Sequence, residues 1–290
     1  MDISENERRQ IYHSVINEYN TTPLATRHGF KYAPDEMKFR EISECLAALP
    51  SRDSVFLDIG TGMGIAPRFF KKIGCRCITV DNPLTGGEAA SNAALAGIET
   101  ITADILQVPL PLVDASVDCI LFADVIEHLL HSPKRAIEEF RRVLKIGGVV
   151  VASTPNALRL SARIRLAIGY SNWPALTDFY DAAYHAGHHH EYTASEFRYS
   201  FETLGFDVEN VILGGTVATV AVPSMSSLQS RYRGKDIETH PLIKLAKMPI
   251  WLLERAVPNF RPSMILVARK TNLADLDRGL GGQQLLSNVH

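Results

Sequence analysis

The residues with the clearest capacity for chemistry are acids and glycines at the ends of apolar runs. Val55-Phe56-Leu57-Asp58-Ile59-Gly60 leads into Thr61-Gly62-Met63-Gly64. Glycines tolerate positive φ and let a ligand approach the backbone closely. A helix N-terminus behind such a loop offers unpaired N–H groups, so a nucleotide-like ligand is the natural occupant. A dinucleotide fingerprint requires its third glycine at position 65, which is Ile65; the third glycine here is Gly64. That spacing disfavours a nicotinamide or flavin pyrophosphate clamp. Asp58 would repel a pyrophosphate and suits an amine-bearing ligand. Asp81 ends a second apolar run and can accept two ribose hydroxyls. Asp104 follows a third run, where it can accept from an adenine amino group while Ile105 packs on the ring. Each acid alone also reads as a solvated turn residue. Three at successive strand ends beside a glycine loop point to one ligand.

An alternation of strands and helices must hold these residues. VFLDIG, CRCITVD (75–81), 99–103, DCILFADV (118–125) and VVVAST (149–154) read as five strands. Helices are expected over about 35–48, 65–73, 86–96 and 133–144, the last with Ser132 as N-cap and Pro133 at the first helical position, and Gly147-Gly148 ending that segment. A further helix spans 193–204, with Thr193 and Glu196 as a capping box and Gly205 as its stop. FDVENVILG (206–214) and SMILVARK (263–270) complete seven strands. This alternation argues for βαβ units and a parallel sheet, an α/β pattern with helices on both faces. Residues 1–50 read as an N-terminal helical cap, 51–270 as the main domain with an insertion at 216–261 before the last strand, and 271–290 as a flexible tail.

Composition narrows the class. Hydrophobic residues are 46 % and charged residues 21 % of 290, enough to build a core without disulfides or metal. Lys+Arg number 30 against 32 Asp+Glu, so no basic excess suggests a nucleic-acid partner. The polar N-terminus carries no secretory signal, and no apolar run is long enough to span a membrane. Cys45, Cys75, Cys77 and Cys119 form no CxxC pair and read as buried thiols of a cytoplasmic protein.

VFLDIGTGMG, Asp81, Asp104, FADVIEHL and LKIGGVVVASTPN, in that order, resemble the class I S-adenosylmethionine-dependent methyltransferases, of the type 11/23 kind, over roughly 52–215 and 262–270. The resemblance implies a Rossmann-like seven-stranded sheet and S-adenosylmethionine as cofactor. It implies that Gly60, Gly62 and Gly64 meet the methionine part, Asp81 the ribose, and Asp104 with Ile105 the adenine. Asn82, and Ala123 in Phe122-Ala123-Asp124, would border the cofactor. Arg40 resembles a cofactor-contacting arginine of ubiquinone-pathway O-methyltransferases; a helix-surface arginine is the alternative.

Methyl transfer from a sulfonium is mostly a matter of positioning, but a hydroxyl acceptor also needs a base. The chain lacks an Asn/Asp-Pro-Pro-Tyr/Phe signature after the fourth strand, which argues against amide or adenine N-methylation. His128, in Val-Ile-Glu-His-Leu, and His189 or His190, in His188-His189-His190-Glu191-Tyr192, are the candidate catalytic bases; His128 also reads as pocket architecture. His185, His188, His189, His190 and Asp181 are close in sequence, and His185–His189 has the spacing of paired helical metal ligands. Gly187 interrupts that helix, and no metal site is assigned.

The stretch from STPNALRLSARIRLAIG to GHHHEYTASEF more loosely resembles methyltransferases of bacterial polysaccharide synthesis, which implies a sugar hydroxyl as acceptor. Trp173, Phe179, Tyr180 and Tyr184 would offer flat faces to a pyranose, and Arg159, Arg163 and Arg165 could hold an acidic group. Segment 222–270 carries nine basic against three acidic residues. Its apolar stretch 240–257 reads as a homodimer contact, a packing helix or a peripheral contact with an anionic membrane. A quinone-like or lipid-linked acceptor, a non-catalytic cofactor-binding protein and an oxidoreductase are the competing readings; the glycine spacing disfavours the last.

Overall fold

The computed structural model describes residues 3–23, 25, 31–83, 96–169, 172, 187–215, 252–253 and 255–272. Two helices come first, α1 (Glu5–Asn20) and α2 (Glu36–Ala48). There follow β1 (Val55–Ile59), α3 (Ile65–Lys72), β2 (Arg76–Asp81), β3 (Glu99–Thr102), β4 (Val117–Ala123), a short 3-10 turn (Ile126–His128) and α4 (Lys134–Val143). Then come β5 (Leu144–Pro155), α5 (Leu160–Ala167), α6 (Ala194–Glu202), β6 (Phe206–Gly214) and β7 (Ser263–Lys270). The expected helix at 86–96 (apart from Ala96), the aromatic loop with Asp181 and His185, most of the 216–261 insertion, and residues 273–290 lie outside the described residues. Among the described residues no helix is long and apolar enough to cross a membrane.

The seven strands form one sheet in the order β3-β2-β1-β4-β5-β7-β6. β1 to β5 pair in parallel, while β7 runs antiparallel to both β5 and β6. The chain winds outward from β1 to β3 and then crosses back to β4. The switch point lies between β1 and β4, and ligands in open α/β sheets bind at the carboxyl ends of the strands flanking it.

Strand side chains alternate between faces, so each strand feeds two cores. Phe56, Cys119, Leu121, Val149 and Val151 face α1, α2 and α3, packing with Ile42, Cys45, Phe69 and Phe70. Leu57, Ile120, Phe122, Val150 and Leu266 face the other side, against Ile137 and Phe140 of α4 and Phe197 and Phe201 of α6. The N-terminal helices therefore supply part of one layer of the sandwich. All four cysteines are buried and unbonded, as their strand and helix positions suggest.

The expected capping box on α6 is present: Thr193 Oγ1 accepts from the Glu196 amide at 3.3 Å, and Glu196 Oε2 accepts from the Thr193 amide at 2.8 Å. The start of α4 differs. Pro133 takes the cap position, and Ser132 Oγ accepts from the Lys134 amide at 3.3 Å. Gly147-Gly148 also does not end a segment, because β5 already begins at Leu144 and contains both glycines. The pairing of β4 with β5 shifts register between Val117 and Cys119, and a Cβ at Gly148 would lie 2.9 Å from the Lys145 carbonyl oxygen. Glycine is needed there to pass the irregularity.

Candidate active site

The loop after β1 is shaped by close contacts. Gly60, Gly62 and Gly64 all have positive φ, at 75°, 54° and 69°. The Gly60 amide donates to the Val80 carbonyl at 2.8 Å, which ties the loop to β2. A Cβ at Gly60 would lie 2.4 Å from Val125 Cγ2, whereas one at Gly62 would meet only the Gly60 carbonyl oxygen at 4.0 Å. Gly60 is thus fixed by the protein, and Gly62 leaves space for a ligand.

Asp81 closes this loop from β2. Its Oδ1 accepts from the Thr61 amide at 3.0 Å, while the buried Oδ2 has no hydrogen-bond partner. A buried carboxylate oxygen without a donor is costly, so a ligand hydroxyl is its fitting partner. Burial raises the Asp81 pKa. Asn82, directly after it, is half-buried. Asp104 is half-buried and bound locally: Oδ1 accepts from the Leu106 amide at 2.9 Å and Oδ2 from Gln107 Nε2 at 3.1 Å. It caps its own turn and retains lone pairs for a further donor. Ile105 is buried in the core beside it.

Asp58 is buried at the end of β1, where burial first, and then the Asp81 and Glu41 charges, raise its pKa to about 7 against the opposing effect of Lys38. Lys38 and Glu41 come from α2 and form an ion pair of 2.5 Å. Burial opposes the Lys38 charge, but Glu41 and Asp124 hold its pKa above the usual range. Glu41 is raised by its own burial despite Lys38. These two residues extend the acidic site at the switch point and were absent from the sequence reading. A detectable signal existed: Glu41 falls on the same helical stripe as Ile42 and Cys45, so an acid was due to enter the core. Arg40, on the neighbouring face, is exposed and pairs with Glu44 at 3.6 Å. The structure favours the helix-surface reading of that arginine.

The other wall follows β4. Ala123 is half-buried, and Asp124 is exposed with φ of 53°, a conformation an aspartate tolerates better than most residues. The Asp124 amide donates to the Ser153 carbonyl at 3.0 Å. Glu127 is buried and accepts from Thr154 Oγ1 at 3.1 Å; burial, and next the Asp124 charge, raise its pKa to about 7. His128 Nδ1 lies 3.2 Å from the Gly187 carbonyl oxygen, and its ring meets that of His188 edge-on at 4.9 Å. His188 Nδ1 lies 3.0 Å from Glu191 Oε1, and Glu191 is paired with Arg159.

Of the three expected bases, only His128 stands in this cluster, and its partner is His188. His189 and His190 point elsewhere. Their amides donate to the Glu127 carbonyl at 2.7 and 3.3 Å, while both residues line a groove of about 610 Å³ with Leu130, Lys134, Tyr199 and Thr203. The Glu127 carbonyl ties this segment to the turn after β4, and in that arrangement His188, not its two neighbours, faces His128. Two of the three expected arginines are also committed: Arg159, just before α5, to Glu191, and Arg163 to the Leu158 carbonyl at 2.7 Å and the Phe260 ring at 5.3 Å. They are structural ties in this arrangement.

Residues 57–152 match a family model described as a methyltransferase domain. The chain carries a methyltransferase domain of the class I fold. A protein of Mycolicibacterium smegmatis named "Probable S-adenosylmethionine-dependent methyltransferase" is 29 % identical over 229 residues, 79 % of this chain and 77 % of that protein. A Mycobacterium tuberculosis protein of the same designation, Rv3030, is 33 % identical over 105 residues, 36 % of this chain and 37 % of its own. Among solved structures, an S-adenosylmethionine-dependent methyltransferase of Archaeoglobus fulgidus aligns with TM-score 0.53 and 17 % identity, covering 81 % of this chain and 94 % of that one. The cyclase SpnF aligns with TM-score 0.52 and 16 % identity, covering 93 % and 97 %. Such distant likenesses establish the fold of the methyltransferase domain and leave its chemistry to the side chains at the switch point.

Proposed function

We propose that the protein is an S-adenosylmethionine-dependent methyltransferase whose acceptor is a hydroxyl of a sugar or another small molecule. The observation that carries the cofactor is the buried, unpartnered Asp81 Oδ2 beside the open backbone of Gly62. A ribose hydroxyl donating to that oxygen relieves its cost. Asp58, with Glu41 behind it, presents negative charge to the ammonium of the methionine part. Ile105 gives the base an apolar wall, and Asp104 offers its remaining lone pairs to the amino group.

S-adenosylmethionine supplies a methyl already activated on a sulfonium. The residues on the cleft wall must align the acceptor, exclude water and take a proton. His128, His188 and Glu127 are the groups grouped for that task. An acceptor hydroxyl that took this methyl would have to lose its proton, and the cluster is placed to receive it. An acceptor amine would need only a neutral lone pair, so a cluster of three titratable groups favours a hydroxyl. The sugar assignment rests on the looser resemblance of residues 153–197.

The test is transfer of a labelled methyl from S-adenosylmethionine to fractionated glycans, lipids and small metabolites, with mass spectrometry of the product. A methyl ether on a hydroxyl is expected. Tight binding of NAD with none of S-adenosylmethionine would sink the reading, and a methyl found only on nitrogen would overturn the acceptor class.

A further inference from the structure

We propose that Glu127, His128 and His188 form a binding site for a divalent transition-metal ion. One ligand-capable atom from each lies within 4.8 Å of the other two, with Glu127 buried and both histidines half-buried. Nitrogen and oxygen ligands bind such ions at about 2.0–2.2 Å, so ligand atoms around one ion stand up to roughly 4.4 Å apart. Small side-chain rotations close that gap.

The surroundings prepare these groups as ligands. Each imidazole has an acceptor at Nδ1, the Gly187 carbonyl for His128 and the Glu191 carboxylate for His188. An acceptor there selects the tautomer with its proton on Nδ1 and its lone pair on Nε2, the form that ligates a metal. Carboxylate–histidine–metal arrangements use this device to orient the ring and raise its basicity. Glu191 is itself fixed by Arg159, and the Glu127 carboxylate by Thr154 Oγ1. The Glu127 carbonyl receives the amides of His189 and His190, which clamps the segment bearing His188 to the turn bearing Glu127 and His128. Two remote parts of the chain are thereby locked so that three candidate ligands meet.

Two imidazoles and one carboxylate suit Mn²⁺, Fe²⁺, Co²⁺ or Zn²⁺ better than Mg²⁺ or Ca²⁺, which favour all-oxygen sites. Three protein ligands leave coordination positions open to an outside oxygen. The role of the ion, though not its binding, rests on the methyl-transfer reading: with both imidazoles occupied as ligands, the ion as a Lewis acid would lower the pKa of an acceptor hydroxyl at the cleft wall so that its proton leaves to solvent, in place of direct transfer to the histidines.

Protein stripped with a chelator is dialysed against Mn²⁺ or Zn²⁺, and bound metal is measured by elemental analysis. About one equivalent per chain is expected. His188→Ala and His128→Ala should each lose at least about tenfold in affinity, as should Glu191→Ala through the ring it orients. His189→Ala, one residue away but outside the cluster, should keep wild-type stoichiometry. Circular dichroism on every variant separates a lost ligand from a lost fold. Absence of bound metal in the wild type, or equal retention by the folded His128→Ala and His188→Ala variants, would overturn the site. S-adenosylmethionine binding is measured on the metal-free protein, so failure of the cofactor reading shows independently of the metal result.

Discussion

The Thr61 amide donates to one oxygen of Asp81 at 3.0 Å and leaves the other buried and unpartnered. The loop thus aims the carboxylate while keeping one acceptor for a ligand. Replacing Asp81 by Ala removes that acceptor and also frees the Thr61 amide. Affinity for S-adenosylmethionine should fall by more than about tenfold, since a hydrogen bond to a charged group contributes about 1.5–3 kcal/mol. Calorimetry with the wild type and Asp81→Ala checks this; equal affinities would show that the ribose does not use this oxygen.

Gly60 meets two independent obstacles to a side chain: φ of 75° and a Cβ position 2.4 Å from Val125 Cγ2. Gly60→Ala should destabilise the fold by about 1–3 kcal/mol from strain and overlap. Adding Val125→Ala should recover the overlap and leave the backbone strain. Denaturant midpoints for the single and double variants measure the two parts separately, and identical midpoints would remove Val125 from the explanation.

The seven strands were legible because their apolar runs end in Asp, Gly or turn residues, and the parallel pairing of β1 to β5 followed from strands alternating with helices; the antiparallel place of β7 between β5 and β6 did not. The Thr193 capping box was legible because both members lie within four residues. The histidine cluster was not, since the choice among His188, His189 and His190 depends on two amide bonds to the Glu127 carbonyl from a segment remote in sequence. The start of β5 was misread because the Val117–Cys119 register shift is a property of two strands together. Arg40 and Lys38 are two residues apart on α2, and only the docking angle of the helix decides which one reaches the switch point.

Lys38 neutralises a buried acid whose alternative is an unpaired charge. Lys38→Met should destabilise the protein by about 2–4 kcal/mol at neutral pH, because removing one partner of a buried pair leaves the other uncompensated. Glu41 already has a raised pKa, and without Lys38 it would rise further and take up a proton. The variant should therefore recover part of the loss as the pH is lowered. Thermal unfolding at pH 5 and pH 8 compares the two, and a pH-independent difference would show that Glu41 does not change its protonation between them.

Asp58 is held protonated to about pH 7 in the ligand-free protein, chiefly by burial and then by the charges of Asp81 and Glu41. The unfolded chain loses this proton near the ordinary aspartate value of 3.8. Between those values the native state binds more protons than the unfolded state, so the Asp58 contribution to stability declines as pH rises through that window. Cofactor binding works in the opposite direction. An ammonium beside Asp58 favours the carboxylate, so binding below about pH 7 must expel a proton. Affinity for S-adenosylmethionine should accordingly weaken toward acid pH, by up to about tenfold per pH unit below the Asp58 pKa. Asp58→Asn carries no titrating proton: its affinity should be lower at pH 8 and its profile flatter below pH 7. Calorimetry in buffers of different ionisation enthalpy counts the released proton directly. A wild-type profile as flat as that of Asp58→Asn would show that the ammonium is recognised elsewhere.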